Sequence, residues 1–211
     1  MNNNLWIGIG AIIKTGDPLY SDLKKINDYL TKDMSGGFGY SDALRPHVNF
    51  YDLAVPSDSI EKIKESLTEA LADQETIACK ISGIGSFKFG LIYAQVEKNE
   101  RLIELHQKIL NAVNPYHGDV IDPDYEKLIP VLSEEQKQSL NRFGNPYMTD
   151  FKPHITLGYL PDKKDVMDTI VPKLELMLAV REFVVHRVDF VKGKTSDAIE
   201  VVAEYEFKQE I

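Results

Sequence analysis

A nine-residue pattern occurs twice in this chain, and each copy carries a histidine at the same position. Residues 45–53 read RPHVNFYDL and residues 152–160 read KPHITLGYL. Both copies run basic, proline, histidine, aliphatic, amide or hydroxyl, large apolar, two variable positions and leucine. Because side chains two apart on a strand share a face, His47 should lie beside Asn49, and His154 beside Thr156. The repeat predicts two duplicated lobes that each contribute half of one site.

The elements that follow each histidine strand also repeat, in the order helix, strand, turn and strand. The hydrophobic spacing predicts these elements in the two halves at 57–74, 76–87 and 91–97, and at about 166–178, 182–192 and 198–207. A strand over 5–14 and a helix over 17–32 precede the first copy, and a helix over 100–113 follows the first half. The duplication therefore extends from the motif to the architecture.

The segment 115–150 matches no part of the duplicated unit. It contains four prolines, Gly144 and one predicted helix from Ser133 to Arg142. A segment of this length without strands is typical of a lid, a binding loop or a linker, and we favour a surface insertion near the mouth of the cleft. A module that binds a partner protein remains an alternative for this segment.

Charge and cysteine content restrict the partners and the compartment. The net charge of −9 argues against a long nucleic-acid footprint, because phosphate neutralisation supplies most of that affinity, but it permits one phosphate or a short oligonucleotide. Cys79 is the only cysteine and is expected to be a buried thiol. No apolar run reaches about 18 residues. We expect a cytoplasmic monomer without a membrane partner.

Two imidazoles on opposite sides of a phosphate form an acid–base pair. Imidazole exchanges protons near neutral pH, so one histidine can remove a proton from the attacking hydroxyl or water while the other protonates the leaving oxygen. Thr156 and Asn49 can donate hydrogen bonds to the phosphoryl oxygens and stabilise the transition state. Neither motif contains a cluster of metal ligands, so no metal or other cofactor is expected.

The paired motifs resemble those of the two-histidine (2H) phosphoesterase superfamily, whose pattern is H-Φ-[ST]-Φ in two related lobes. The second copy fits fully, and the first has Asn49 where the family has Ser or Thr. The resemblance spans nearly the whole chain. It implies an α+β fold, one bilobal domain over residues 1–211 with interleaved, pseudo-twofold related lobes. Each lobe would have an antiparallel sheet with flanking helices, and the active site would lie in the central cleft. His47 and His154 would be catalytic, and Thr156 and Asn49 would bind phosphate.

Further substrate contacts are predicted from strand faces and turns. Tyr51 is placed on the face of His47 and Asn49, and Tyr93 and Gln95 share a face that lines the cleft. Lys88 in one turn, with Lys192 and Lys194 around the other, would supply positive charge for phosphate, although turn lysines also serve solubility. Among the other histidines, His106 and His117 are expected to be solvated and His186 structural.

The function predicted from the sequence is metal-independent chemistry at a ribose 2′- or 3′-phosphodiester. We place a 2′,3′-cyclic phosphodiesterase acting on RNA ends or small nucleotides ahead of a 2′–5′ oligonucleotide phosphodiesterase, because the acidic charge favours small substrates. Hydrolysis and ligation share this constellation and remain open. The alternative is a catalytically weak nucleotide-binding or sensor protein that uses the same cleft, which the amide at Asn49 permits.

Overall fold

The computed structural model of this chain describes residues 4–37, 39–41, 44–87, 90–160, 167–193 and 199–209. Its eight strands form one antiparallel sheet in the order β6-β3-β4-β5-β2-β1-β7-β8. The strands are β1 (Asn4–Ile12), β2 (His47–Pro56), β3 (Ile77–Ser86), β4 (Leu91–Val96), β5 (His154–Tyr159), β6 (Glu182–Val185), β7 (Arg187–Lys192) and β8 (Glu200–Glu206).

Within the described ranges, six α-helices accompany the sheet. They are α1 (Pro18–Asp28), α2 (Ile60–Leu71), α3 (Glu100–Val113), α4 (Pro123–Glu126), α5 (Glu134–Phe143) and α6 (Met167–Met177). Asp17 caps α1 by accepting from the Leu19 N–H, and Asn99 caps α3. None of the helices in the described ranges is long and apolar enough to span a membrane.

The sheet has a buried face and a face that carries the histidines. Alternate residues of β1 and β2, among them Ile7, Ile9, Val48 and Phe50, are fully buried in one continuous core. The amphipathic helix α3 packs on β2, and α1 packs on β5. The α+β class and the antiparallel sheet are thus confirmed. The histidine strands β2 and β5 meet at the centre of the sheet, while the division into two lobes and the single-domain assignment stay predictions.

The stretch predicted as one strand over 182–192 is two strands. β6 pairs with β3 at one end of the sheet, whereas β7 pairs with β1 near the other end. A single straight strand cannot pair with both β3 and β1, so the strand is interrupted at His186, which is exposed. Its carbonyl accepts from the Phe207 N–H at 2.8 Å.

The expectation that His106 is solvated is wrong. Its side chain is fully buried in α3 and stacks on Phe151, with the ring centroids 4.0 Å apart. Its two ring nitrogens lie 3.0 Å from the Phe50 carbonyl and 3.4 Å from the Met148 carbonyl. Burial lowers the pKa of His106, because the charged imidazolium loses its hydration there. His106 therefore joins α3, β2 and the chain that leads into β5.

We expect His106→Leu to lower the free energy of unfolding by about 1–3 kcal/mol at neutral pH, because buried carbonyls lose a donor. The pKa of His106 is lower folded than unfolded, so the wild type loses stability as the pH falls from about 7 to 5 through the unfolded value. The leucine variant has no imidazole at this position and lacks this loss of stability. The difference in the free energy of unfolding between the two proteins should therefore shrink at low pH. Urea unfolding at both pH values measures it, and a difference that grows at low pH would contradict this account.

Candidate active site

The two histidine strands are neighbours, and their register relates the two motifs by a local twofold. Val48 of β2 pairs with Ile155 of β5. In an antiparallel pair, the next residues along place His47 beside Thr156 and Asn49 beside His154. All four side chains then share one face, and the histidines are diagonal neighbours at about 7–8 Å between Cα atoms. Each histidine thus has the hydrogen-bonding residue of the other motif as its direct neighbour.

Both imidazoles are held in the same way by their own strand. Nδ1 of His47 lies 2.8 Å from the Arg45 carbonyl, and Nδ1 of His154 lies 2.7 Å from the Lys152 carbonyl. A carbonyl oxygen only accepts, so Nδ1 donates its proton in both residues. In the neutral ring, Nε2 is therefore the nitrogen with a free lone pair. The carbonyl two residues before each histidine fixes its tautomer and orientation.

The half-buried carboxylate of Asp52 organises the side of the site next to Asn49. The Asn49 amide donates to Asp52 Oδ1 at 2.5 Å, and the Tyr125 hydroxyl donates to Asp52 Oδ2 at 2.6 Å. Asn145 donates from Nδ2 to the Asp52 carbonyl at 2.8 Å and to Oδ1 at 3.2 Å. Tyr125 and Asn145 both come from the segment 115–150. This segment, predicted to lie near the cleft mouth, is tied to the histidine strand by hydrogen bonds to Asp52.

A β-bulge determines which residues of β2 reach this face. Ile9 of β1 pairs with Tyr51 and Gly10 pairs with Asn49, so Phe50 is the extra residue. The alternation therefore reverses after Phe50. Tyr51, predicted to share the face of His47, instead points into the core, is fully buried and donates to the Phe143 carbonyl at 2.5 Å. That prediction of its placement is wrong, and Asp52 occupies the position on the histidine face.

Burial and neighbouring charges shift the pKa values of His154 and Asp52 in opposite directions. Burial lowers the pKa of His154, and the nearby charge of His47 lowers it further, while the Lys152 carbonyl and Asp52 act in the opposite direction. Burial raises the pKa of Asp52, although hydrogen bonds from Tyr125 and Asn49 and the charge of His47 oppose this. His154 is thereby held as a neutral imidazole at neutral pH, which suits a proton acceptor.

Cavities open on both sides of the histidine pair. The larger, about 630 Å³, is lined by His154, Asn49 and Asp52 together with Tyr125 and Tyr147 of the 115–150 segment. A smaller cavity of about 260 Å³ is lined by His47, Asn49, Asp52 and Trp6. Asn49 and Asp52 border both cavities. Asn49 and Asp52 therefore lie between the two cavities.

The other predicted contacts differ in their placement. Tyr93 and Gln95 line a cavity of about 420 Å³ with His154, and the Tyr93 ring lies edge-on to the imidazole at 5.4 Å between centroids. Lys192 pairs opposite the core residue Ile7, so it lies on the face away from the histidines, and it contacts Glu200 at 3.0 Å. Its predicted place beside the cleft is wrong. Lys88 and Lys194 lie outside the described residues.

Sequence reasoning missed Asp52, Tyr125, Asn145 and Trp6. One signal for Asp52 was present, because it is the only charged residue in the otherwise apolar stretch FYDLAV of β2. A charge in such a strand needs a partner or a function. Tyr125, Asn145 and Trp6 come from segments whose approach to the site is a property of the tertiary fold. Among the described residues, no three His, Cys, Asp or Glu side chains converge as metal ligands.

Comparison with known proteins identifies the family to which this geometry corresponds. A family model described as the 2′-5′ RNA ligase superfamily matches residues 17–197. This chain belongs to the 2′-5′ RNA ligase superfamily. The match contains both histidine motifs and the segment between them, and the expected kinship with two-histidine phosphoesterases is confirmed. A search of curated proteins gives no significant match.

Solved structures of other proteins share the fold. TT0787 of Thermus thermophilus superposes with a TM-score of 0.64 at 14% identity, over 98% of this chain and 100% of that protein. LigT of E. coli in its apo form gives a TM-score of 0.61 at 10% identity, over 98% and 99% of the two chains. A further structure described as a phosphoesterase gives 0.55 at 11% identity, over 97% and 99%. At these identities the likeness shows the fold, and family membership supports a phosphodiesterase-type function.

We expect Tyr125→Phe to lower the free energy of unfolding by about 1.5–3 kcal/mol, because it removes a hydrogen bond to the half-buried carboxylate of Asp52. Tyr147→Phe is the matched control: this tyrosine lines the same cavity but is 45% exposed, and its change should stay within about 0.5 kcal/mol. Chemical unfolding of both variants measures the difference. Equal stabilities would mean that the Tyr125 hydroxyl does not anchor the segment.

Proposed function

We propose that this protein is a metal-independent phosphodiesterase that acts on a ribose 2′,3′-cyclic phosphate or a 2′–5′ phosphodiester of RNA ends or small nucleotides. The observation that carries the proposal is the pair of identically held imidazoles on adjacent strands. Each donates from Nδ1 to its own backbone and keeps Nε2 for chemistry. A phosphate between the two nitrogens would meet one proton acceptor and one proton donor.

The unequal surroundings of the two histidines suggest their roles. The lowered pKa of His154 keeps it neutral, so it would take the proton from the attacking water or hydroxyl. His47 would then give a proton to the leaving oxygen. Acid and base are thereby divided between the two copies of one motif.

Neutral donors beside each histidine would stabilise the charge on the phosphate. Thr156 is the strand neighbour of His47, and Asn49 that of His154. The Asn49 amide has two N–H groups, and Asp52 accepts from Nδ2, so the side chain has a fixed orientation in which the second N–H can serve the substrate. Asn49 can thus fill the role of the Ser or Thr in the superfamily pattern.

The surroundings of the pair suit a small anionic substrate. Arg45 borders the smaller cavity and Lys152 the larger one, where Lys152 also pairs with Asp150 at 2.7 Å, so each motif brings one cation to an otherwise acidic protein. Structures of E. coli LigT, a protein of the same fold, have been solved in complex with 3′-AMP and with ATP. Those complexes support a nucleotide as the substrate class here.

We expect His47→Ala and His154→Ala each to lower the turnover of a phosphodiester substrate by about 10²–10⁴-fold, because each removes a general acid or base. Thr156→Ala should cost less than either. Asn49→Thr restores the superfamily pattern and should preserve or raise activity on cyclic phosphates. Rates on 2′,3′-cyclic nucleotides and on 2′–5′ oligoadenylate, followed by product separation, measure these effects.

The same assays test the absence of a metal and the rival function. Turnover should be unchanged in a chelator, and loss of activity that zinc or manganese restores would contradict the proposal. Full activity in both alanine variants would refute the catalytic assignment. Nucleotide binding without any turnover would favour the sensor alternative.

We expect the pKa of His154 to respond in opposite directions to two neighbouring charges. Removing the His47 cation in His47→Ala should raise the pKa of His154, and removing the Asp52 charge in Asp52→Asn should lower it further. In the active protein, the midpoint of the acidic limb of kcat/KM should lie below the ordinary pKa of an imidazole. Imidazole proton NMR over a pH series measures the shifts, and identical directions in both variants would contradict the assigned geometry.

A further inference from the structure

Asn49 places an amide where the superfamily pattern has a hydroxyl, and the two groups differ in what they need from their surroundings. A hydroxyl has one polar atom and can turn its hydrogen toward any acceptor. An amide has a donor side and an acceptor side, and the torsion that exchanges them has broad energy minima. With its carbonyl oxygen toward a phosphate, Asn49 would repel the anion. A neighbouring group must therefore fix the orientation of this amide.

The bulge at Phe50 supplies that neighbour, which is Asp52. Residues three apart on a regular strand point to opposite faces, but the extra residue in β2 brings Asp52 onto the face of Asn49. The Asn49 amide then donates from Nδ2 to Asp52 Oδ1 at 2.5 Å. A charged carboxylate only accepts, so the amide oxygen cannot take the place of Nδ2. Asn49 also borders both cavities, so its second N–H is left for a substrate oxygen.

The two carboxylate oxygens of Asp52 have different partners. Oδ2 accepts from the Tyr125 hydroxyl at 2.6 Å, and Asn145 donates to the Asp52 backbone carbonyl at 2.8 Å. Oδ1 makes its shortest hydrogen bond with Asn49, while Asn145 lies 3.2 Å from it. Asn145 also donates to the Tyr125 hydroxyl at 3.1 Å, so these side chains form one network with the carboxylate. The 115–150 segment is thus anchored mainly through Oδ2 and the backbone, and Oδ1 is directed at Asn49.

We propose that Asp52 is a positioning residue for the reaction at the histidine pair. It orients the Asn49 amide so that an N–H, rather than the carbonyl oxygen, faces the phosphoryl oxygen, and Tyr125 and Asn145 keep Asp52 in place. The 115–150 segment thereby acts on the rate through Asp52, in addition to lining the larger cavity. This proposal rests on the proposed function. It deepens that function by making the use of asparagine depend on a carboxylate that a Ser or Thr would not need.

A double-mutant cycle separates this role from a purely structural one. Asp52→Ala is made in the wild type and in Asn49→Thr, where a hydroxyl replaces the amide. We expect Asp52→Ala to lower kcat by about tenfold to a hundredfold in the wild type, because a misplaced donor loses most of its effect on the transition state. In the Asn49→Thr background the loss of kcat should stay below about threefold, because the hydroxyl orients itself. KM should change less than kcat in both backgrounds.

The substrate is a 2′,3′-cyclic nucleotide or 2′–5′ oligoadenylate, whichever the wild type turns over. The value of kcat is taken on the plateau of its pH profile, where a change in the pKa of His154 does not enter. Thermal melts establish that each variant is folded. If Asp52→Ala does not fold, Asp52→Asn replaces it in the cycle. Its amide can offer either polar atom to Asn49, so we expect a loss of about fivefold or more in the wild type alone.

Asp189→Asn is the matched control for the cycle. Asp189 also borders the smaller cavity and is buried, but it pairs with Arg187 at 2.9 Å rather than with Asn49. Any factor by which this change lowers kcat should be the same in the wild type and in Asn49→Thr, within about twofold. A background-dependent loss is therefore expected for the Asp52 variant alone.

NMR relaxation of the Asn49 side-chain amide gives a readout that does not need turnover. Its resonances are assigned by their absence in Asn49→Thr. We expect an order parameter of about 0.85, that of a rigid group, in the wild type and one below about 0.6 in Asp52→Ala or Asp52→Asn. Tyr125→Phe should give an intermediate value, because Asp52 then loses one of the groups that hold it.

The outcomes separate this proposal from the function on which it rests. Histidine-dependent turnover with equal losses of kcat in the two backgrounds would overturn the positioning role of Asp52 alone. An Asn49 amide that is equally ordered with and without the Asp52 carboxylate would do the same. Turnover that does not depend on His47 and His154 would refute the proposed function, and the positioning role with it.

Discussion

The pairing of Val48 with Ile155 is the constraint on which the site depends. It joins the two halves of the sheet through two motif strands, and it sets each histidine beside the polar residue of the other copy. A shift of either strand by one residue would turn its histidine into the core, where Val48 and Ile155 now lie fully buried. The packing of the core therefore fixes the spacing of the two imidazoles, so that core packing and the proposed proton transfer depend on the same strand register.

The bulge at Phe50 adds a second feature that the motifs alone do not contain. By turning both Phe50 and Tyr51 toward the core, it brings Asp52 onto the histidine face. The same residue then accepts hydrogen bonds from Tyr125 and Asn145 and so anchors the 115–150 segment. One extra residue in β2 thus determines that Asp52 neighbours the two histidines and that the 115–150 segment forms a wall of the larger cavity.

The sequence predicted those parts of the fold that depend on local periodicity. α3 over 100–113 and the strands β3 and β4 lie where the hydrophobic spacing places them, and Cys79 is buried as expected. The sequence-based predictions were wrong where contacts with a distant part of the chain determine the placement of a residue. Tyr51 follows a bulge that only pairing with β1 reveals, and His106 is buried because Phe151 and two carbonyls surround it. The break at His186 likewise results from two strands that pair at opposite ends of the sheet.

A carboxylate beside the proposed phosphate site is unfavourable in an acidic protein, and the surroundings of Asp52 show how this cost is reduced. Tyr125, Asn49 and Asn145 all donate to it, so much of its charge is directed into hydrogen bonds rather than toward the cleft. Burial raises the pKa of Asp52. The Asp52 charge opposes the lowering of the His154 pKa. Asp52 therefore couples the anchoring of the 115–150 segment to the protonation of the proposed base, and a substrate that moves Tyr125 would change both together.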